Sequence, residues 1–187
     1  MIFSSEVAED LKNGAVAVIP TDTVYGIVCS VRLPDVVEKL YTLRGRDHHK
    51  PCIILLSDIS GLEEFGIAVS TSDGALLHTV WPGKVSVVFD CPKEQWLYLH
   101  RGTKTLAFRV PDDRELRNLL HNIGPLIAPS ANTAGSLPAH TLAEAKNYFG
   151  DQISLYVDGG YCESLPSTVA RLKNGVWEVL RKGAVTL

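Results

Sequence analysis

The stretch Val18-Ile19-Pro20-Thr21-Asp22-Thr23-Val24-Tyr25-Gly26-Ile27 passes from an apolar run into hydroxyls, a carboxylate, a phenol and a glycine, then back into apolar residues. Strand ends with this content are where α/β sheets place ligands. A purely structural loop would use Pro20 and Gly26 as punctuation and Thr21 or Asp22 as a cap. Polar groups close other apolar runs as well: Arg44 to Lys50, Ser130 to Asn132, Ser167-Thr168, and Arg181. Arg109 interrupts Leu106-Ala107-Phe108-Arg109-Val110; a charge there needs a partner or a ligand, or a place on the solvated face of an edge strand. Arg44, Arg46 and Lys50 put three cations within seven residues. That cluster suits a polyanion such as a nucleoside triphosphate, and it equally suits a solvated turn that complements a helix dipole. His48 and His49 in the same loop are expected to be exposed. No G-x-x-x-x-G-K-[ST], G-x-G-x-x-G or G-x-S-x-G motif is present, and no acidic pair stands out. Rich in cations and hydroxyls and poor in carboxylates, the set favours binding and neutralising an anion.

The elements that must position these groups follow from periodicity. Ser4 or Ser5 caps a helix over 4–13 that carries Val7, Ala8 and Leu11 and stops at Asn13-Gly14. Ala15 to Ile19 reads as an interior strand and Ile27 to Val31 as another. Pro34 opens a helix that ends near Gly45. Cys52 to Leu56 is a buried strand by composition. Residues 58–81 read as two short helices, followed by a turn at Trp81-Pro82-Gly83. Val85 to Phe89 and Thr105 to Val110 are strands separated by a polar excursion. Asp112 or Asp113 caps a helix with Leu116, Leu119, Leu120 and Ile123 on one face. Leu126 to Ala128 is a short strand, and Thr141 to Glu144 is a capping box for a helix that ends at Gly150. Leu155 to Val157 is a strand, and Asn174-Gly175 joins Thr168 to Leu172 with Val176 to Leu180 as a hairpin. The fold expected is one α/β domain over residues 1–187 with a twisted, mixed parallel and antiparallel sheet and flanking helices.

The 187-residue chain is 45% hydrophobic and 21% charged, an ordinary globular composition. Its 18 basic and 21 acidic residues leave a net charge of −3, which argues against a protein whose main task is coating nucleic acid. Cys29, Cys52, Cys91 and Cys162 form no C-x-x-C pair and have no histidine at metal-ligand spacing, so buried free thiols are expected rather than zinc or disulfides. No apolar run approaches the ~20 residues that span a bilayer. The first residues lack the basic start and long apolar core of a signal peptide, and a cytoplasmic protein is expected.

Taken in order, the motifs resemble one family, the YrdC/TsaC-like L-threonylcarbamoyladenylate synthases, in its short single-domain form. Pro20-Thr21-Asp22-Thr23-Val24-Tyr25-Gly26 is similar to its P-T-[DE]-T-x-Y-G, and Arg44-Gly45-Arg46 with Lys50-Pro51 to its K-x-R block. Ser130-Ala131-Asn132 matches its S-x-N. Trp81-Pro82-Gly83, Arg109-Val110-Pro111, Pro166-Ser167-Thr168-Val169 and Arg181-Lys182-Gly183 follow in the family's order. The resemblance covers almost the whole chain. It implies an open, twisted sheet with a concave, positively charged face, and an enzyme that joins L-threonine, bicarbonate or CO2, and ATP into threonylcarbamoyl-AMP, releasing pyrophosphate. The product feeds N6-threonylcarbamoyladenosine formation on tRNA through a downstream threonylcarbamoyl-transfer complex. Carried over residue by residue, Arg44, Arg46 and Lys50 hold the triphosphate, with Mg2+ arriving alongside ATP. Thr105, Ser130, Asn132 and Arg181 also contact the nucleotide. Arg109 pairs with the threonine carboxylate, and Thr21, Thr23, Tyr25 and Ser167 shape the amino-acid pocket. No residue is assigned as general base. Arg44 stands where the family usually has Lys, Leu55 where many members have His, and Thr133 to Pro138 replaces a more Ser-rich segment. Two other functions stay open: a non-catalytic RNA-binding module using the same concave basic face, and a carbamoyl-adenylate enzyme that starts from carbamoyl phosphate.

Overall fold

A computed structural model describes residues 2–187. The strands β1 (Ala17–Ile19), β2 (Gly26–Ser30), β3 (Ile53–Leu55), β4 (Val85–Asp90), β5 (Thr105–Arg109), β6 (Leu126–Ile127), β7 (Leu155–Tyr156), β8 (Thr168–Lys173) and β9 (Val176–Arg181) form one nine-stranded sheet. Its order is β7-β1-β2-β6-β3-β5-β4-β8-β9. Pairing is mixed: β1/β7, β3/β5 and β4/β8 run parallel and the remaining neighbours antiparallel. The helices are α1 (Ser5–Lys12), α2 (Pro34–Arg44), α3 (Thr71–Leu77), α4 (Leu97–His100), α5 (Arg114–Ile123) and α6 (Leu142–Phe149).

Side chains alternate across a strand, so the sheet feeds two separate cores. Val18, Ile27, Ile54, Val87, Phe108 and Ala170 pack with α2, α3, α4 and α6 on one face. On the other, Ala17, Ile19, Val28, Leu55 and Leu126 pack against Val7 and Leu11 of α1 and Leu116, Leu119, Leu120 and Ile123 of α5. This second core stops at β3. Beyond it the same face of β5, β4 and β8 carries Ala107, Val88 and Val169, which no helix covers and which line a cavity. The uncovered half of that face is the ligand-sized hollow.

Capping follows the sequence. Ser4, Asp113 and Thr141 cap α1, α5 and α6, the last as a full capping box with Glu144. Asn174 and Gly175 have φ of 52° and 75°, the two left-handed residues a tight hairpin requires. The first short helix after β3 is a 3-10 segment, Ile59–Phe65. The polar excursion between β4 and β5 contains a 3-10 turn at Glu94–Trp96 and α4, burying Trp96, Leu99 and His100. Four helical residues are too few for a periodic signal, and tertiary burial holds the turn in place. Among the described residues, no helix is long and apolar enough to cross a membrane.

Candidate active site

The cation cluster is built by a helix end. Gly45 takes the left-handed conformation (φ 57°); its N–H donates to the Thr42 carbonyl, and the Arg46 N–H to the Tyr41 carbonyl at 3.1 Å. This Schellman closure reverses the chain, so Arg44 leaves from the last turn of α2 and Arg46 from the loop, both toward the same hollow. Arg44 is buried. Its Nε donates to the Asn132 carbonyl at 2.9 Å and its Nη2 to Asn132 Oδ1 at 3.1 Å. Arg46 Nε and Nη2 donate to the Lys50 and Pro51 carbonyls at 3.0 and 2.9 Å. Tyr41 Oη also donates to the Lys50 carbonyl. Arg181, at the end of β9, donates from Nη2 to the Ser167 carbonyl at 2.7 Å.

These three guanidiniums are held only by neutral oxygens. Burial pushes Arg44 down to about 10, and the nearby Arg46 adds to the effect. Burial and the charge of Arg46 likewise lower Arg181. Arg46 disfavours the charge of both Arg44 and Arg181, and with no acidic side chain lining this cavity the three form a site whose repulsion a polyanion relieves.

Arg109 differs. β5 lies between β3 and β4, so the edge-strand alternative fails. Its guanidinium is buried and ion-paired through Nη1 to Asp22 Oδ1, and its Nη2 lies 3.4 Å from Thr23 Oγ1. Asp22, which the sequence places at a ligand-type strand end or in a capping role without naming its partner, is the acid that the buried arginine required. The signal lay in two charges of opposite sign, each at an apolar strand end, but their pairing across 87 positions is a tertiary fact.

The cavity encloses about 290 Å3 and is lined by Thr23, Arg44, Arg46, Thr105, Arg109, Ser130, Ser167 and Arg181 over an apolar floor of Ile53, Val88, Ala107 and Val169. A second hollow of about 280 Å3 shares Arg44 and Arg46 with it and adds Asp47, Lys50 and Asn132. Clefts of roughly 300–1,000 Å3 are typical of small-ligand sites. Thr105 and Arg109 lie four residues apart on one face of β5, about 13 Å at the usual rise per residue, so the hollow is elongated along that strand. Ser130 is brought in by an antiparallel bridge to Gly26, and Ser167 Oγ lies 2.8 Å from Ser86 Oγ.

Some assigned residues stand elsewhere. Tyr25 is fully buried and does not line the cavity; its Oη donates to the Gly160 carbonyl at 2.8 Å and accepts from the Gly159 N–H at 2.9 Å. Thr21 also lies behind the wall, with Oγ1 donating to the Val24 carbonyl at 2.7 Å. Both side chains brace the loop from behind the cavity wall. Lys50 is exposed, 3.6 Å from Asp47, and belongs to the adjoining hollow only. Asn132 braces Arg44 and donates from Nδ2 to the Thr133 and Ser136 carbonyls, which orders the departing loop. Leu55 is a core residue beneath α1 and α5. His48 and His49 are exposed, His48 stacked on Tyr41. All four cysteines are free and buried; Cys52 lies in the cavity wall.

An open mixed sheet with half of one face left bare, walled by four arginines, defines an α/β domain with a cationic cavity of small-molecule size. The Sua5/YciO/YrdC family model, described as telomere recombination, matches residues 9–183. The chain is 33% identical over 171 residues to the threonylcarbamoyl-AMP synthase of Thiobacillus denitrificans, covering 88% of each. It is 32% identical over 186 residues to that of Bacillus subtilis, covering 97% of this chain and 54% of that one. The crystal structure of P. abyssi Sua5 complexed with L-threonine superposes with a TM-score of 0.86 at 26% identity, covering 95% of this chain and 53% of that one. The chain thus spans about half the length of the Bacillus subtilis and P. abyssi proteins. It belongs to the Sua5/YciO/YrdC family.

Proposed function

We propose that this chain is an L-threonylcarbamoyladenylate synthase, a nucleotidyltransferase working in the cytoplasm toward N6-threonylcarbamoyladenosine in tRNA. The observation that carries the reading is the convergence of Arg44, Arg46, Arg109, Ser130, Ser167 and Arg181, from widely separated stretches, on one cavity. Bicarbonate and the threonine amine give a carbamate and water. A carbamate oxygen attacks the α-phosphorus of ATP as the bond to the β-phosphate oxygen breaks and pyrophosphate leaves. The obstacle is bringing an anion to a polyanion, so fixed cations and positioning supply most of the rate. Arg44, Arg46 and Arg181 draw charge from the phosphates and stabilise the departing pyrophosphate. Thr105, Ser130, Asn132 and Lys50 orient the nucleotide. Arg109 takes the threonine carboxylate, with Thr23 and Ser167 beside it. The apolar floor limits water around the carbamate and the mixed anhydride. Mg2+ enters as part of the Mg·ATP substrate. The main cavity offers guanidiniums and hydroxyls without a carboxylate, and the adjoining hollow a single acid, Asp47, which is too few hard ligands for a resident divalent cation.

The convergence of the cations on a cavity of small-molecule size, with Arg44 and Arg109 buried in its wall, favours the enzyme over the RNA-binding alternative. The test is mass detection of threonylcarbamoyl-AMP, or its cyclised breakdown product, with stoichiometric pyrophosphate. Serine or glycine replacing threonine, omission of bicarbonate, and carbamoyl phosphate replacing both are the controls. Release that is indifferent to bicarbonate, or product formed from carbamoyl phosphate, refutes the assignment.

A further inference from the structure

Of the four arginines on the cavity wall, Arg44, Arg46 and Arg181 are bonded only to carbonyl, amide and hydroxyl oxygens. Arg109 alone has a carboxylate partner among the described residues. The two side chains are only 5% and 4% exposed. The other carboxylate oxygen of Asp22 accepts the Asp112 N–H at 3.0 Å, so the acid is fixed at both oxygens and stands behind Arg109 rather than on the wall. Arg109 Nε has no acceptor among the described residues.

We propose that Asp22 is a positioning residue that sorts the two ligands: by neutralising Arg109 it reserves that end of the cavity for the singly charged carboxylate of an amino acid and leaves the phosphates to the three unpaired guanidiniums. The inference rests on the proposed synthase reading for the identity of the ligands. Its physical basis is charge balance. A guanidinium-carboxylate pair carries no net charge, so it still offers hydrogen bonds to a monoanion, while the acid repels a group with several negative charges. An amino acid also brings its own ammonium, which a neutral pair tolerates and a bare cation does not. Without this division, pyrophosphate or the triphosphate could bridge Arg109 and Arg181 and occupy the amino-acid end as a dead-end complex.

The test uses the full chain and inorganic pyrophosphate as probe. In the wild type, titration calorimetry should give one pyrophosphate per chain, and pyrophosphate inhibition should not be competitive with threonine. Asp22→Asn keeps the shape and an acceptor for Arg109 but removes the charge. It should bind a second pyrophosphate, convert inhibition to competitive against threonine, and raise the threonine KM at least tenfold while the ATP KM stays within twofold. In Asp22→Asn/Arg109→Gln the second pyrophosphate should be lost again. A merely structural role would weaken both substrates together and create no new anion site; that outcome, or a folded Asp22→Asn with wild-type pyrophosphate stoichiometry, overturns the proposal. If Asp22→Asn does not fold, the wild type still decides: two pyrophosphates per chain, or competition with threonine, overturns it. Stoichiometry needs no turnover. A second pyrophosphate in Asp22→Asn of a chain inert toward threonine would therefore sink the synthase reading and leave the role of Asp22 standing.

Discussion

Arg46→Ala separates what the cation cluster does for the fold from what it does for the ligand. In the free protein the side chain makes two hydrogen bonds, to the Lys50 and Pro51 carbonyls, worth about 1 kcal/mol each. Against this, its charge disfavours the guanidiniums of Arg44 and Arg181, and that repulsion is relieved when it is removed. The net cost lies below about 2 kcal/mol, a fall in Tm of no more than about 8 °C for a chain of this size. Binding responds more strongly. A hydrogen bond to a charged phosphate is worth about 1.5–3 kcal/mol, so losing one weakens ATP or pyrophosphate by roughly 10- to 150-fold at 1.4 kcal/mol per decade. At pyrophosphate 100 times its wild-type Kd, the wild type gains about 2.7 kcal/mol of stability. The variant at the same concentration should gain only about 0.3–1.4 kcal/mol by the same relation. Thermal melts with and without pyrophosphate, together with titration calorimetry of ATP, measure both quantities. Affinity within twofold of wild type, or unchanged pyrophosphate protection, would refute the idea that the three arginines act as one polyanion site.

The remaining expectations concern the frame of the site. A Cβ at Gly183 would sit 2.3 Å from the Pro166 carbonyl oxygen and 2.5 Å from Ser167 backbone atoms. Gly183→Ala should therefore displace two residues of the cavity wall, costing about 1–3 kcal/mol in denaturant unfolding and raising KM; unchanged kinetics would show that the wall tolerates the shift. Tyr25→Phe removes the hydrogen bonds to the Gly159 N–H and the Gly160 carbonyl and should cost about 0.5–1.5 kcal/mol with little change in the threonine KM. Weaker threonine binding at unchanged stability would return the phenol to the pocket. Asp58 caps the 3-10 helix, and its hydrogen bonds to Ser60 and Ser57 hold its carboxyl below the ordinary range. The stabilisation from this depressed acid is present above the ordinary carboxylate value near 4 and is lost as pH falls through the folded value. Asp58→Ala should cost about 1 kcal/mol at neutral pH, and the difference from wild type should shrink on acidification below pH 4; a difference independent of pH would remove the carboxylate from the account.

Local chemistry determined a large part of this protein. Capping residues, the Asn174-Gly175 turn and the apolar runs specify most element positions, because caps, left-handed turns and burial patterns act over a few residues. The polar strand ends marked the segments that meet at the cavity, and the ordered motifs pointed to the family. The division of labour among them was decided only in three dimensions. Tyr25 and Thr21 share a motif with Thr23, yet they turn inward to hold loops while Thr23 faces the hollow. The pairing of Asp22 with Arg109, the bracing of Arg44 by Asn132, and the bare floor of Ala107, Val88 and Val169 depend on strands brought together from distant positions. The physical reason is that a side chain's role follows from which face of the sheet it occupies and what covers that face. Here α1 and α5 reach only as far as β3, and that limit of coverage turns an ordinary strand face into a binding site.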